Sequence, residues 1–315
     1  MRDEALPKVL VACSFSVEGL GLMRAAGLVV DHRPSITQEE FDRIYHEYDA
    51  VVVRGNVRVK PVAPGGSLRV VVRAGSGLDN IAVAELDRIG VKVYNTPDAV
   101  AESVGELAVA LMLSLARGVV RSASALSRGE WIKHGVLGAE LMGKTLGIIG
   151  FGRIGRVVAR IARGIGMKIL VYDVLKFATE DLAEYGAEQV SLEELLARSD
   201  FVTIHVPLKE DTRLLIGERE LSMMKPTAYL INTSRGGVVD EQALKKALRE
   251  GRIAGAALDV FSEEPPRDLE LLSIPNLVAT PHIGSQTREA QERASLEAAR
   301  ILVEELTGRR PSRAT

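Results

Sequence analysis

The stretch TLGIIGFGRIGRVVARIARGIGMKILVYD, residues 145–173, constrains this chain more than any other. Residues 146–149 read as a short buried strand. From Arg153 onward, Ile154, Val157, Val158, Ile161 and Ile165 fall on one face of a helix. Gly150, Gly152 and Gly155 lie between the two at G-x-G-x-x-G spacing, removing side chains where a strand turns sharply into a helix. A pyrophosphate can then approach the backbone and the positive end of that helix. A second strand over 168–172 follows and is closed by Asp173, the position of the carboxylate that accepts an adenosine ribose hydroxyl. Strand, glycines, helix, strand and acid in this order predict a dinucleotide fold. They also predict NAD as cofactor, because Asp173 would repel the 2′-phosphate of NADP.

This unit begins near the middle of a 315-residue chain, which is long enough for two cored domains. Before it, short β-branched runs at 9–12, 29–30, 50–53, 70–72 and 91–94 alternate with helical patterns at 16–26, 36–45 and 83–89. Thr37 and Glu40 stand at capping-box spacing. An alanine-rich helix follows "NTPDAV" over 99–117. Within it the most apolar stretch, 107–116, reads as a buried helix too short to span a bilayer. After the glycine motif, strands are expected at 201–204, 229–231, 254–258 and 277–279, with a last amphipathic helix over 286–306. The alternation predicts α/β architecture with two doubly wound parallel-sheet domains. The glycine-bearing domain, 98–284, would be inserted into a domain made of 1–97 and 285–315. Two chain crossings would form a hinge, with the active site in the cleft.

Composition narrows the function classes. Apolar residues make up 46% and charged residues 26%, and the formal net charge is −2, so no polyanion-seeking surface and no nucleic-acid partner is expected. Cys13 closes an apolar run and reads as a small core residue. One thiol cannot form an internal disulfide, which fits a reducing compartment. "MRDEALPK" lacks the apolar region of a signal peptide, so the expectation is a cytoplasmic protein with no membrane partner.

In open parallel sheets, ligands bind beyond the carboxyl ends of the strands, where "HVP", "NTSRGG", "DVFSEEPP" and "PHIGS" fall. His32, His46 and His134 lie in ordinary polar surroundings and read as surface residues. His205 reads as part of a cofactor wall. His282, stiffened by Pro281, is an acid–base candidate or a satisfied loop histidine. Arg235, beside Ser234 and two glycines, can fork onto a carboxylate. By position alone, Glu263 and Glu264 are equal candidates. Neither has metal-ligand spacing to a histidine, so no metal is expected.

"GFGRIG…YD", "HVPL", "INTSRGGVVDE", "GAALDVFSEEPP" and "TPHIGS" resemble the D-isomer-specific 2-hydroxyacid dehydrogenases. "VRAGSGLDNI" and "YNTPDAVAESVGELAVALML" resemble that family's substrate loop and linker. The resemblance runs over nearly the whole chain. Within the family, "RAGSGLDN" and "ALDVFSEEPPRD" are most similar to the phosphoglycerate dehydrogenases. It implies a Rossmann NAD-binding domain inserted into a flavodoxin-like substrate domain. It also places the catalytic carboxylate directly before the proline, at Glu264. NAD would then lie along Gly150, Gly152, Arg153, Ile154, Gly155 and Asp173. The rest of its wall would be His205, Val206, Pro207, Thr233, Ser234, Arg235, Asp259, His282, Gly284 and Ser285. Arg235 and the backbone near Ser76 and Gly77 would hold the substrate carboxylate. His282 would move the C2 hydroxyl proton, with Glu264 favouring its imidazolium form.

Arg54, Arg73 and Lys133 are candidates for a substrate phosphate or ordinary surface cations. The resemblance points to 3-phospho-D-glycerate, as in serine biosynthesis. Glyoxylate, hydroxypyruvate or D-lactate would use the same catalytic residues. An NAD-sensing, peptide-binding corepressor is the reading from another class. The 99–144 region resembles the family's dimerisation region, so a homodimer or homotetramer is expected. Many phosphoglycerate enzymes carry a C-terminal serine-binding regulatory domain. The sequence ends at Thr315, before one would fit, so feedback by that route is not expected.

Overall fold

The computed structural model describes residues 6–61 and 66–309. The chain divides into two compact units: one holds the described residues up to Val100 and those from Ser285 on, and the other is Ala101–Gly284.

The first unit opens with β1 (Lys8–Val11), α1 (Val17–Ala25), β2 (Val29–His32), α2 (Gln38–Ile44), β3 (Ala50–Val53), β4 (Val70–Arg73), α3 (Val83–Arg88) and β5 (Lys92–Asn95). Its strands pair in the order β2-β1-β3-β4-β5, all parallel. That is the flavodoxin-like order. The helix ends follow their sequence signals: Ser16 accepts from the Gly19 N–H, and Thr37 and Glu40 form the reciprocal capping box. Cys13 is buried, and burial raises its thiol to about 11. His32 is not simply a surface residue. It is half-buried, with Nε2 3.1 Å from the Cys13 carbonyl oxygen.

The helix α4 (Pro97–Arg117) starts in the first unit and continues into the second. Its 21 residues are long and apolar enough to cross a bilayer, so the expectation that this apolar helix is too short is corrected. It is a core helix: 67% of its apolar window is buried within the protein, with Ala108 and Met112 inside the second unit's core. Ser103 and Gly105 interrupt the apolar pattern in the sequence, yet both are buried.

The second unit continues with α5 (Val119–Ser127), β6 (Thr145–Ile149), α6 (Arg153–Ile165), β7 (Lys168–Tyr172), α7 (Thr179–Ala183), β8 (Ala187–Gln189), α8 (Leu192–Arg198) and β9 (Phe201–Ile204). Then come α9 (Glu218–Met223), β10 (Tyr229–Asn232), α10 (Glu241–Arg249), β11 (Gly255–Leu258), α11 (Leu269–Leu272) and β12 (Leu277–Ala279). The seven parallel strands run β12-β11-β10-β9-β6-β7-β8, a doubly wound sheet whose order reverses between β6 and β9. Alternate strand residues feed two cores. Ile149, Val202 and Leu230 face one, and Ile148, Phe201 and Ile231 the other.

The last helix, α12 (Arg288–Thr307), belongs to the first unit. Ala294, Ala298, Leu302 and Val303 join Val9, Leu20, Met23 and Val72 in one core. Glu305 accepts from Lys92 Nζ (2.7 Å) and the Tyr94 hydroxyl (2.5 Å), tying this helix to the edge strand β5. The end of the chain therefore completes the domain that its beginning starts. Leu302→Ala, at a fully buried position, is expected to cost about 2–5 kcal/mol. Leu269→Ala, at an exposed position, should stay within about 0.5 kcal/mol. Urea unfolding of the two variants checks this; equal midpoints would mean that α12 does not contribute to the core.

Candidate active site

The switch point of the second sheet carries the glycine turn. Gly150 follows β6 with φ 94°, a left-handed conformation that a side chain resists. A Cβ on Gly155 would stand 2.2 Å from the Gly150 carbonyl oxygen, so that helix–strand approach requires a bare backbone. Gly152 differs: a Cβ there would meet nothing within 4 Å, and no side chain caps the first turn of α6. Open space above uncapped N–H groups fits a pyrophosphate. Arg153 and Ile154 form the first helical residues. Asp173, just beyond β7, is half-buried. Its Oδ2 accepts from the Phe151 N–H (2.8 Å) and its Oδ1 from the Leu175 N–H (3.0 Å). The acid is thereby tied to the glycine turn itself.

The carboxyl ends of the next strands lie on the other side of the switch point. His205 follows β9, its N–H donating to the Ile149 carbonyl (2.7 Å) and its Nε2 3.0 Å from Thr203 Oγ1. Its Nδ1 is buried without a hydrogen-bond partner, as is Thr233 Oγ1 after β10. Buried polar atoms without partners at a switch point are what a cofactor's polar edge would satisfy. Val206 packs on the sheet core, and the Pro207 carbonyl accepts from Thr212 Oγ1. Ser234 and its neighbours are pinned by Asn232, whose Oδ1 accepts from the Ser234 N–H (3.0 Å) and hydroxyl (2.8 Å). Asn232 Nδ2 donates to the Arg235 carbonyl (2.8 Å). Arg235 Nη1 donates to the Ser234 carbonyl (2.6 Å).

The two remaining strand ends carry the candidate acid–base pair, Glu264 and His282. Glu264 Oε2 lies 2.8 Å from His282 Nδ1, which leaves Nε2 as that ring's other nitrogen. Burial pushes the Glu264 carboxyl upward. The His282 hydrogen bond and charge, the Phe261 N–H and the Arg235 guanidinium outweigh it, and the net position is below the ordinary carboxylate range. Glu263 instead pairs with Arg267 at the surface (2.8 Å). His282 has φ 53°, left-handed for a residue with a side chain. Asp259 holds that turn. Its Oδ1 accepts from the Ile283 N–H (2.8 Å) and Thr280 Oγ1 (2.6 Å), and its Oδ2 from the Gly284 N–H (2.8 Å). Sequence spacing offered no signal for Thr280, or for Asp259 as the clamp on this turn.

The structure thus brings Gly150, Gly152, Arg153, Ile154, Gly155, Asp173, His205, Val206, Pro207, Thr233, Ser234, Arg235, Asp259, Glu264, His282 and Gly284 to the carboxyl edge of one sheet. Lys133 belongs to the same unit but sits exposed on a short helical turn, Lys133–Gly135. The other candidates belong to the first unit. Arg54 follows β3 and Arg73 ends the adjacent strand β4, both half-buried. Arg54 Nη2 donates to the Gln291 carbonyl (3.4 Å), while its Nε is buried without a partner. Arg73 Nη1 donates to the Ala74 carbonyl (2.9 Å). Ser76 and Gly77 are half-buried, and the Ser76 carbonyl accepts from Asn95 Nδ2 (2.6 Å). The Ser285 carbonyl accepts from Gln291 Nε2 (2.9 Å).

Residues 109–284 match the family model described as D-isomer specific 2-hydroxyacid dehydrogenase, NAD binding domain. The chain belongs to that family. It is an NAD-dependent D-2-hydroxyacid dehydrogenase, acting on small 2-hydroxy and 2-oxo acids. It is 45% identical to the hydroxypyruvate reductase of Thermotoga maritima over 86% of this chain and 89% of that one. It is 41% identical to the D-3-phosphoglycerate dehydrogenase of Methanocaldococcus jannaschii over 96% of this chain, which spans 58% of that protein's length. Among solved structures, the D-lactate dehydrogenase of Aquifex aeolicus complexed with NAD and lactic acid is 30% identical. It covers 96% of both chains with a TM-score of 0.81.

His205 gives this dehydrogenase a pH signature. Burial pushes its imidazole down to about 3, whereas an unfolded histidine titrates near ~6.5. Between those values the unfolded chain holds a proton that the folded chain does not, so stability is lost as pH falls from about 6.5 toward about 3. His205→Asn is expected to flatten that loss in urea unfolding between pH 7 and pH 4. Parallel pH profiles for wild type and variant would show that the ring is protonated in the folded state.

Proposed function

We propose that the dehydrogenase interconverts 3-phospho-D-glycerate and 3-phosphohydroxypyruvate, the entry to serine biosynthesis. We propose also that residues 98–284 bind NAD and that 1–97 with 285–315 bind the substrate. The observation behind the chemistry is the 2.8 Å Glu264–His282 pair. With Nδ1 engaged by the carboxylate, Nε2 is the nitrogen available to take the C2 hydroxyl proton during oxidation and return it during reduction. Bound NAD supplies the hydride acceptor. Arg235 forks onto the substrate carboxylate, with backbone N–H groups near Ser76 and Gly77 assisting. Asp173 accepts from the adenosine ribose. His205, Val206, Pro207, Thr233, Ser234, Asp259, Gly284 and Ser285 wall the remainder.

Glu264→Gln should retain activity but move the alkaline limb of keto-acid reduction to lower pH, because imidazolium loses its counter-charge. His282→Ala should lose roughly 10²–10⁴-fold in kcat. A glutamine variant with the wild-type pH profile would refute the pairing.

The observation behind the phosphate is the Arg54 guanidinium, whose buried Nε lacks an acceptor. Arg73, one strand over, adds a second cation, and Lys133 is the third candidate. A phosphate on C3 would use these donors, whereas the carboxylate already has Arg235. A second reading, an unphosphorylated hydroxypyruvate or glyoxylate substrate, draws support from the relative that this chain matches over 89% of its length. Arg54→Ala and Arg73→Ala, each assayed with phosphohydroxypyruvate and with hydroxypyruvate, separate the two. The proposal expects KM for the phosphorylated acid to rise about tenfold per ~1.4 kcal/mol lost, with little change for the other. Equal losses on both substrates would favour the second reading.

Oligomerisation belongs to the same proposal. Val119, Val120, Leu126, Trp131, Leu137 and Met142 are exposed along one segment. Apolar side chains in that concentration support at least a homodimer built through it.

A further inference from the structure

Helix α6 starts with an electrostatic oddity. Its first turn holds no acid, yet Arg153 and Arg156 both sit near its positive end. Cations there oppose the helix dipole. Arg153 belongs to the glycine motif; Arg156 has no part in the chemistry above. Among the described residues, no carboxylate lies within ion-pair distance of Arg156. Its guanidinium carbon instead lies 4.9 Å from the ring centre of Phe151, 5.3 Å from that of Phe177 and 5.7 Å from that of Tyr185. The rings also meet edge to face: Phe151 with Phe177 at 5.4 Å and with Tyr185 at 5.3 Å. All three distances from the guanidinium are within cation–π range.

Two of these rings belong to the segments that fix Asp173. Phe151 is the middle residue of the glycine turn, and its N–H donates to Asp173 Oδ2. Phe177 closes the loop after Asp173. In that loop the Leu175 N–H donates to Asp173 Oδ1, and Gln189 bonds both the Leu175 carbonyl (2.7 Å) and the Phe177 N–H (3.2 Å). One guanidinium therefore grips the side chains of both segments whose amides hold the carboxylate.

We propose that Arg156 is a positioning residue for the dinucleotide: by clamping Phe151 and Phe177 it fixes the orientation of Asp173 toward the adenosine ribose. The proposal rests on the reading of Asp173 as ribose acceptor. An apolar filler of similar length would occupy the same space without the cation–π attraction, so Arg156→Met separates clamping from packing and Arg156→Lys restores the charge.

Calorimetric titration with NAD and with ADP-ribose, which keeps the adenosine half, is the test. Arg156→Met should weaken both ligands about two- to thirtyfold, the range a lost cation–π contact spans. Arg156→Lys should recover part of the loss. At saturating NAD, kcat should stay near wild type while KM for NAD rises. Wild-type affinity in the methionine variant, or a fall in kcat with affinity intact, would overturn the proposal. Asp173→Ala run alongside distinguishes the two levels. If it binds ADP-ribose as tightly as wild type, the ribose reading fails and takes this one with it. If it binds weakly while Arg156→Met does not, only the clamp fails. Should the methionine variant not fold, Phe177→Leu removes one ring from the same clamp. It is then expected to weaken ADP-ribose, and unchanged binding would count against the proposal.

Discussion

The acid–base geometry depends on one buried carboxylate. Asp259 takes three hydrogen bonds from the segment 280–284, two of them from backbone N–H groups. Its side chain is the acceptor in all three. An unpaired carboxylate in this position would be costly; three short donors offset that cost. What the arrangement secures is a left-handed histidine. His282 at φ 53° is disfavoured in isolation, and Asp259 fixes the two residues that follow it. Glu264 then needs only to reach Nδ1 from the end of the neighbouring strand. Removing the clamp would leave the Glu264 and His282 side chains intact and their meeting undetermined.

The parallel sheet makes such a meeting possible between residues far apart in sequence. Every strand of the second unit points its carboxyl end the same way. Segments following β6, β9, β10, β11 and β12 must therefore converge, and each carries one part of the site. The reversal of strand order between β6 and β9 separates the helices on either side and leaves the opening for a dinucleotide. No single segment needs an unusual length or composition, because convergence is supplied by the sheet.

This explains what was legible from the chain alone. Alternation of β-branched runs with amphipathic helices marked both sheets, and the glycine spacing followed by Asp173 marked the dinucleotide site. The last helix was read as returning to the first domain because it arrives after the second sheet is complete, and α12 does join that core. Other features left no periodic trace. β8 is a three-residue edge strand, Ala187–Gln189, without a buried residue, so it lacks the apolar run that marks a strand. α5 carries alanines and serines that read equally as linker. Position could not separate Glu263 from Glu264; the fold does, by turning one to His282 and the other to Arg267. His32 was misjudged because its partner is a main-chain carbonyl, which no side-chain pattern reveals.

The Glu264–His282 pair, proposed to move the proton, lies wholly within Ala101–Gly284, whereas Arg54, Arg73, Ser76 and Gly77 belong to the other unit. On the proposed reading, substitutions at those four residues would change which acid is bound without disturbing the Asp259 clamp or the Glu264–His282 contact, since none of those hydrogen bonds involves a first-unit residue. The relatives named for hydroxypyruvate and for 3-phosphoglycerate stand at similar distances from this chain, 45% and 41% identity. On the proposed reading the substrate is decided by a few donors of the first unit, among them the buried Arg54 Nε, whose hydrogen-bonding demand no described residue meets.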